Sequence, residues 1–370
     1  MLITEPILLL DKEKCLRNIK FMAEKAVRHN LIFRPHLKTP QSAEIAKWYK
    51  EFGVTKITVS SLKMAEYFAS DGWTINWEDI TIAFPVNILQ TDRINKLASK
   101  INLNILIACE DVMETLNKEI TSKVNFFIKI DTGYHRSGIE LKNIEEIESI
   151  LKKADKSKLI FKGFLAHSGH SYNAKSLEEI QAIHNYSLDV MRELKSTYLD
   201  DYPDLITTIG DTPSCSLMEN FEGIDEIRPG NFIFYDLAQW KIGSCSLDKI
   251  AVAMSCPVIS KNKERQEILV HGGGIHFAKD VSSLEDGTPY YGLVVNLSDK
   301  FNTGWEIPES KSYVRSLCQE HGVIKASDEL YSKVKIGDRI GILPIHSCMT
   351  ADCMKKYYTL AEEEINMLKY

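Results

Sequence analysis

VNFFIKID, residues 124–131, is an apolar run of strand length ending on a carboxylate. LKNIEEIESILKK, residues 141–153, follows it, with Leu141, Ile144, Ile147 and Leu151 on one helical face and Glu and Lys on the other. Together they read as one βα unit. The unit recurs, because strand-like runs also fall at 32–37, 56–60, 80–84, 103–108, 159–167, 206–210 and 225–228. A second long helical pattern covers 176–199. Eight strands separated by helices predict a (β/α)8 TIM barrel over residues 12–245. A doubly wound sheet is the competing α/β architecture.

The pattern changes near residue 246. Runs at 250–260, 266–271, 291–297, 313–318 and 339–343 are strand-like, with turn residues between them. They predict a second, mostly-β domain over 246–370, to which the strand-like opening (3–10, within 1–11) is assigned. A chain of 370 residues suits two such domains. Hydrophobic residues make up 44% and charged residues 26%, and the net charge of −6 is dispersed, which argues against a nucleic-acid surface. No apolar run is long enough to cross a bilayer. The start MLITEPILLLDKEK has neither a basic n-region nor a small-residue cleavage site. The eight cysteines are scattered, so reduced thiols in a cytoplasmic protein are expected.

In such a barrel the reacting groups sit at the C-terminal ends of the strands. Lys38, in RPHLKT (34–39), ends the first run, and a lysine so placed can condense with an aldehyde. DTGYHRSG (131–138) offers Arg136 for a phenolate or carboxylate, or for a structural pair with Asp131. HSGHSY (167–172) packs His167, His170 and Tyr172 into six residues, one imidazole suited to a cofactor ring and another to capping the loop. In GDTPS (210–214), Gly210 permits close backbone approach, Thr212 is read as an N-cap and Pro213 as the first helical residue. The following N–H groups would face an anion, with Gly230 and Asn231 as the other half of a phosphate site. A capped helix and a tight turn without ligand explain the same residues. In PIHSC (344–348), an extended backbone would put His346 and Cys348 on one side, an N/S pair suited to Zn²⁺ with Mn²⁺ or Mg²⁺ still open. Cys353 is read as a bystander. The run HGGGIH (271–276) implies close backbone approach, its histidines reaching a site or filling the loop.

RPHLKT, DTGYHRSG, HSGHSY, GDTPS, RPGNFIFYD (228–236), QEHG (319–322) and PIHSC occur in one order across nearly the whole chain. This ordered set resembles the D-serine dehydratase and D-threonine aldolase family, within the alanine-racemase-like (fold type III) pyridoxal 5'-phosphate (PLP) enzymes. The resemblance implies a PLP-binding barrel, a C-terminal β domain and a homodimer acting on a small D-amino acid. By it, Lys38 would hold PLP covalently, and His36 and Tyr172 are further catalytic candidates. Arg136 would approach the cofactor's phenolic oxygen and Tyr172 its ring nitrogen. His167, Gly210 and Tyr235 would belong to the cofactor's surroundings. Thr212, Gly230 and Asn231 would form the phosphate cup, and His346 and Cys348 would bind the divalent metal. Two departures stand out. Asp211 replaces a frequent Ser and must turn away from a phosphate. Gly272–Gly273–Gly274–Ile275–His276 replaces an Ala-Gly-x-Lys type of run. The implied activity is dehydration of D-serine to pyruvate and ammonia, since a His/Cys pair goes with dehydratases. Retro-aldol cleavage to glycine and an aldehyde is the alternative, followed by racemisation and by non-catalytic PLP binding.

Overall fold

The computed structural model describes residues 4–70, 77–298 and 304–369, so Ile3 of the expected opening strand lies outside the described residues. Contacts divide the chain into two compact units, Lys20–Gly230 and Met1–Ile19 with Asn231–Tyr370. Strand β1 (Ile7–Leu10) belongs to the latter.

The Lys20–Gly230 unit carries β2 (Ile32–Phe33), β3 (Ile57–Val59), β4 (Asp79–Pro85), β5 (Asn102–Ile107), β6 (Val124–Ile130), β7 (Leu159–Ala166), β8 (Ile206–Ile209) and β9 (Glu226–Ile227). They form one eight-stranded sheet in the order β2-β9-β8-β7-β6-β5-β4-β3, every pairing parallel. The two ends of that order also join. His36 bridges Thr58, the Leu37 N–H donates to the Thr58 carbonyl at 2.8 Å, and the Thr58 N–H donates to that of Pro35 at 2.9 Å. The sheet is therefore a closed barrel, as the βα repetition predicts, and an open doubly wound sheet is excluded. β2 is shorter than the 32–37 expected, because Pro35 has no N–H for the ladder.

The helices follow from local signals. The Ser176 hydroxyl accepts from the Glu179 N–H and starts Leu177–Tyr198, which buries Ile180, Leu188, Met191 and Leu194. Ile144–Lys153 has Glu145 and Glu146 in its first turn, Lys152 and Lys153 in its last, and buries Ile147, Ile150 and Leu151. Alternation along β6 turns Phe127 and Lys129 inward. There Phe127 packs with Leu106 and Leu165.

The second unit carries β10 (Val252–Asn262), β11 (Glu267–His271), β12 (Ser282–Ser283), β13 (Pro289–Tyr290), β14 (Gly292–Leu297), β15 (Trp305–Glu306), β16 (Tyr313–Leu317), β17 (His321–Lys325), β18 (Arg339–Pro344), β19 (Lys356–Thr359) and β20 (Glu364–Asn366). The main sheet runs β11-β17-β16-β14-β18-β10-β1-β19-β20, and β10 also pairs with β11, closing a largely antiparallel barrel. β1 lies antiparallel to β10, with Leu8 opposite Met254. Among the described residues no helix is long and apolar enough to cross a membrane.

Candidate active site

In the parallel barrel, Lys38 follows the bridge at His36, its side chain exposed in a cavity of about 440 Å³. Leu106 and Leu165 supply apolar wall, while His36, Lys129, Arg136, His167 and Arg228 supply polar wall. Among the described residues, four cationic side chains and no carboxylate line it, a balance suited to an anionic ligand.

The two imidazoles are held neutral. Burial lowers His36 well below the ordinary histidine range, with Lys38, Arg228 and His167 adding to the shift. The Lys38 N–H donates to His36 Nδ1 at 3.3 Å, so the remaining proton sits on Nε2. His167 is likewise pushed down, first by burial and then by Lys38. Its Nδ1 donates to the Gly210 carbonyl, leaving Nε2 as an acceptor. Arg228 is fixed by bonds to Thr208 Oγ1 at 2.7 Å and the Ala166 carbonyl at 2.6 Å. Lys129 Nζ donates to the Ile130 carbonyl at 2.6 Å. Burial, reinforced by Arg228 and Arg136, lowers this amine to about 7.

Asp131 does not pair with Arg136. Its Oδ1 accepts from the N–H groups of Gly133, Tyr134 and His135 at 3.0, 3.0 and 3.1 Å, an Asx-type turn. Arg136 lies over the Tyr134 ring, 4.8 Å from its centroid, with its exposed guanidinium lining the cavity. His170 stacks on the same Tyr134 ring, their centroids 6.1 Å apart.

The GDTPS loop corrects one expectation. Asp211, not Thr212, caps the helix Thr212–Leu217, accepting from the Ser214 N–H at 2.9 Å and the Ser171 hydroxyl at 2.8 Å. A carboxylate is the stronger acceptor at a helix start, and capping also turns its charge inward. The Thr212 N–H donates to the Tyr172 hydroxyl at 3.0 Å. Thr212 Oγ1 and Ser214 Oγ are buried without a partner. Gly210 and Gly230 are required by backbone packing, since a Cβ would lie 2.8 Å from the Arg228 backbone or 2.9 Å from the His36 carbonyl oxygen. Orphaned hydroxyls, cationic walls and an exposed lysine together fit a phosphorylated aldehyde. Lys38 would anchor its aldehyde, and Thr212 and Ser214 would donate to its phosphate.

In the second unit, His346 is not on a strand with Cys348. It is the extended N-cap of the helix Ser347–Met354, and Cys348 lies in its first turn. No Gly or Pro interrupts SCMTADCM, so the helix begins at once. The two side chains still meet by hydrogen bond, so the helix start rather than strand alternation joins the pair. Burial alone would lower His346, but Asp280 and Cys348 outweigh it and hold the imidazole up to about 11. Its Nδ1 faces Asp280 Oδ1 at 3.4 Å, the outer-shell carboxylate arrangement of metal-bound histidines. An imidazole and a thiol side by side fit a divalent metal of borderline softness. The Asn231 side chain lies here too, donating to Asp236, Ser347 and Cys348. Tyr235 is buried with φ 46°, and its N–H donates to the Asn231 carbonyl at 2.8 Å.

His271, His276 and Glu320 also cluster, their ligand atoms within 4.8 Å of one another. His276 Nδ1 accepts from the Gly273 N–H at 3.1 Å, so its proton sits on Nε2 facing Glu320. His276 thereby also ties the glycine run to this cluster.

Sequence reading missed Lys129, Ser214 and Asp280. The signal for Lys129 was present: a lysine flanked by Ile128 and Ile130 inside an apolar strand belongs in a core only when it has a task.

Residues 10–237 match the family model "Alanine racemase, N-terminal domain", and residues 251–360 match "Putative serine dehydratase domain". The first defines the class, an alanine-racemase-like barrel. A D-serine dehydratase of Dictyostelium discoideum is 30% identical over 403 residues, covering 99% of this chain and 96% of that one. A D-threo-3-hydroxyaspartate dehydratase of Delftia sp. (strain HT23) is 25% identical over 366 residues, covering 97% and 94%. A solved D-threo-3-hydroxyaspartate dehydratase variant, described as metal-free, superposes with a TM-score of 0.90 at 23% identity, covering 100% of this chain and 98% of that chain. The chain belongs to the D-serine dehydratase family of alanine-racemase-like, PLP-dependent lyases.

Proposed function

We propose that this chain dehydrates a β-hydroxy D-amino acid, D-serine first, to a keto acid and ammonia, working as a cytoplasmic homodimer. When bound, PLP supplies an electron sink at the substrate Cα and a divalent metal supplies a Lewis acid for the β-hydroxyl. Lys38 would hold the cofactor's aldehyde carbon, and its Nζ would accept the substrate Cα proton. Arg136 holds the phenolic oxygen, and the Tyr172 hydroxyl serves the ring nitrogen. Thr212 and Ser214, with the Gly230 backbone, hold the phosphate. His36 and His167, both neutral, keep the cavity's charge fixed while protons move. His346 and Cys348 hold the metal, Zn²⁺ by ligand preference.

The observation that carries this reading is the exposed Lys38 in a cavity whose described lining is cationic and holds no carboxylate, in a chain 30% identical to a D-serine dehydratase. In the family that the sequence resembles, a His/Cys pair goes with dehydratases, which favours dehydration over retro-aldol cleavage. Incubation with D-serine, D-threonine and D-threo-3-hydroxyaspartate, with separation of the products, tests it. Keto acid and ammonia are expected. Glycine with an aldehyde would replace the dehydratase reading by the aldolase one, and L-isomer would replace it by a racemase. Size-exclusion chromatography with light scattering should give twice the mass of the chain.

A further inference from the structure

Asn231 is 5% exposed; its Oδ1 is buried without a partner, and its Nδ2, with two hydrogens, faces three acceptors of one cluster. Its Nδ2 lies 2.8 Å from Asp236 Oδ2, 3.0 Å from Ser347 Oγ and 3.4 Å from Cys348 Sγ. Asp236 is 1% exposed and serves both sides of this cluster. Its Oδ1 accepts from the Gln239 N–H at 2.9 Å, while Oδ2 accepts from the Ser347 N–H at 3.0 Å and the Ser347 hydroxyl at 3.2 Å. Ser347 is the residue between the two metal candidates, and it is fully buried. The run 231–236 therefore fixes the backbone between His346 and Cys348 and delivers an N–H to the sulfur.

We propose that Asn231 is a positioning residue of the His346–Cys348 metal pair, donating to Cys348 Sγ and, through Asp236, locking Ser347 between the two ligands. This rests on the metal reading above. A hydrogen bond to a metal-bound thiolate stabilises its negative charge and fixes its direction, and outer-shell partners of this kind govern metal affinity about 10–100-fold. The Asn231 backbone, which follows Gly230, is separate from this use of its side chain.

The test uses PLP-loaded protein, stripped of metal by a chelator. Zn²⁺ affinity is measured by competition with a chromophoric chelator, and the sulfur-to-metal charge-transfer band is recorded with Co²⁺. Asn231→Ser should weaken Zn²⁺ by about 10–100-fold and shift the Co²⁺ band, with PLP content unchanged. In a Cys348→Ala background, Asn231→Ser should cost less further metal affinity than in the wild type, because the sulfur it serves is gone and only the hold on Ser347 beside His346 remains. A general loss of folding would instead add in full to the Cys348→Ala effect and lower PLP content, and that outcome overturns the proposal. So does wild-type Zn²⁺ affinity in Asn231→Ser. Should Asn231→Ser not fold, Ser347→Ala removes one hydroxyl of the same cluster and must weaken Zn²⁺ in the same direction; an unchanged affinity there counts against the proposal. Wild-type protein that takes up no Zn²⁺ would contradict the metal reading itself, a distinct result.

Discussion

Two amines share one cavity, and their surroundings assign them different tasks. Lys38 is exposed at its wall and can reach an incoming aldehyde. Lys129 is 5% exposed, its Nζ already spent on the Ile130 carbonyl, and burial lowers it to about 7. It can carry or release a proton near neutral pH without being a free nucleophile. The orphaned hydroxyls give a second residue-scale prediction. A hydrogen bond to a charged group contributes roughly 1.5–3 kcal/mol, so Thr212→Val should raise the PLP dissociation constant about ten- to a hundredfold. Thermal melts of the cofactor-free protein should show no loss from the same change, since Thr212 Oγ1 has no partner to lose there. Unchanged PLP affinity would remove Thr212 from the phosphate site.

At the scale of elements, the barrel interior carries buried ion pairs beside its apolar Leu106–Phe127–Leu165 cluster. Arg34, 2% exposed, bonds Glu226 Oε2 and Asp79 Oδ1 at 2.6 Å each, tying β9 and β4 to the end of β2. Removing one partner leaves a buried charge unpaired, so Glu226→Ala should destabilise by roughly 3–5 kcal/mol in denaturant titrations. A loss under about 1 kcal/mol would show that the pair is dispensable. Burial works against the Asp79 carboxylate, but Arg34, Lys56 and Asn104 outweigh it and lower it below its ordinary 3.8. A depressed carboxylate contributes stability above its unfolded value, lost as pH falls through the folded one. Asp79→Asn should therefore flatten the acid limb of the stability profile below about pH 4, and an unaltered limb would contradict this. Elements with strong periodicity were legible: β4 to β8 and the helix Leu177–Tyr198 fall within a few residues of expectation. β17, β19 and β20 were not, because HGVIK, KYYT and EIN carry too little apolar alternation, and pairing of β17 with β11 and β16, of β19 with β1 and of β20 with β19 makes them strands. The helical setting of Cys348 was hidden for a related reason, since two residues cannot signal whether a strand ends or a helix starts.

For the whole molecule, PLP chemistry is common to the lyases of the family, and the proposed reading assigns the metal that would act on the β-hydroxyl to His346 and Cys348 of the β unit. Chelation should abolish keto-acid formation and leave the absorption of bound PLP in place, with Zn²⁺ restoring turnover; full activity after chelation would remove His346 and Cys348 from the reaction. The motifs that made the site legible are those whose chemistry is local, such as RPHLKT. Asp280 and Lys129 escaped because their roles depend on which face of a strand or loop the fold turns inward. The most direct test of the account is to reduce the PLP-loaded protein with borohydride, digest it, and locate the pyridoxyl group by mass spectrometry. The account predicts a single modified residue, Lys38. A pyridoxyl group on Lys129, or on no lysine of the cavity, would contradict it.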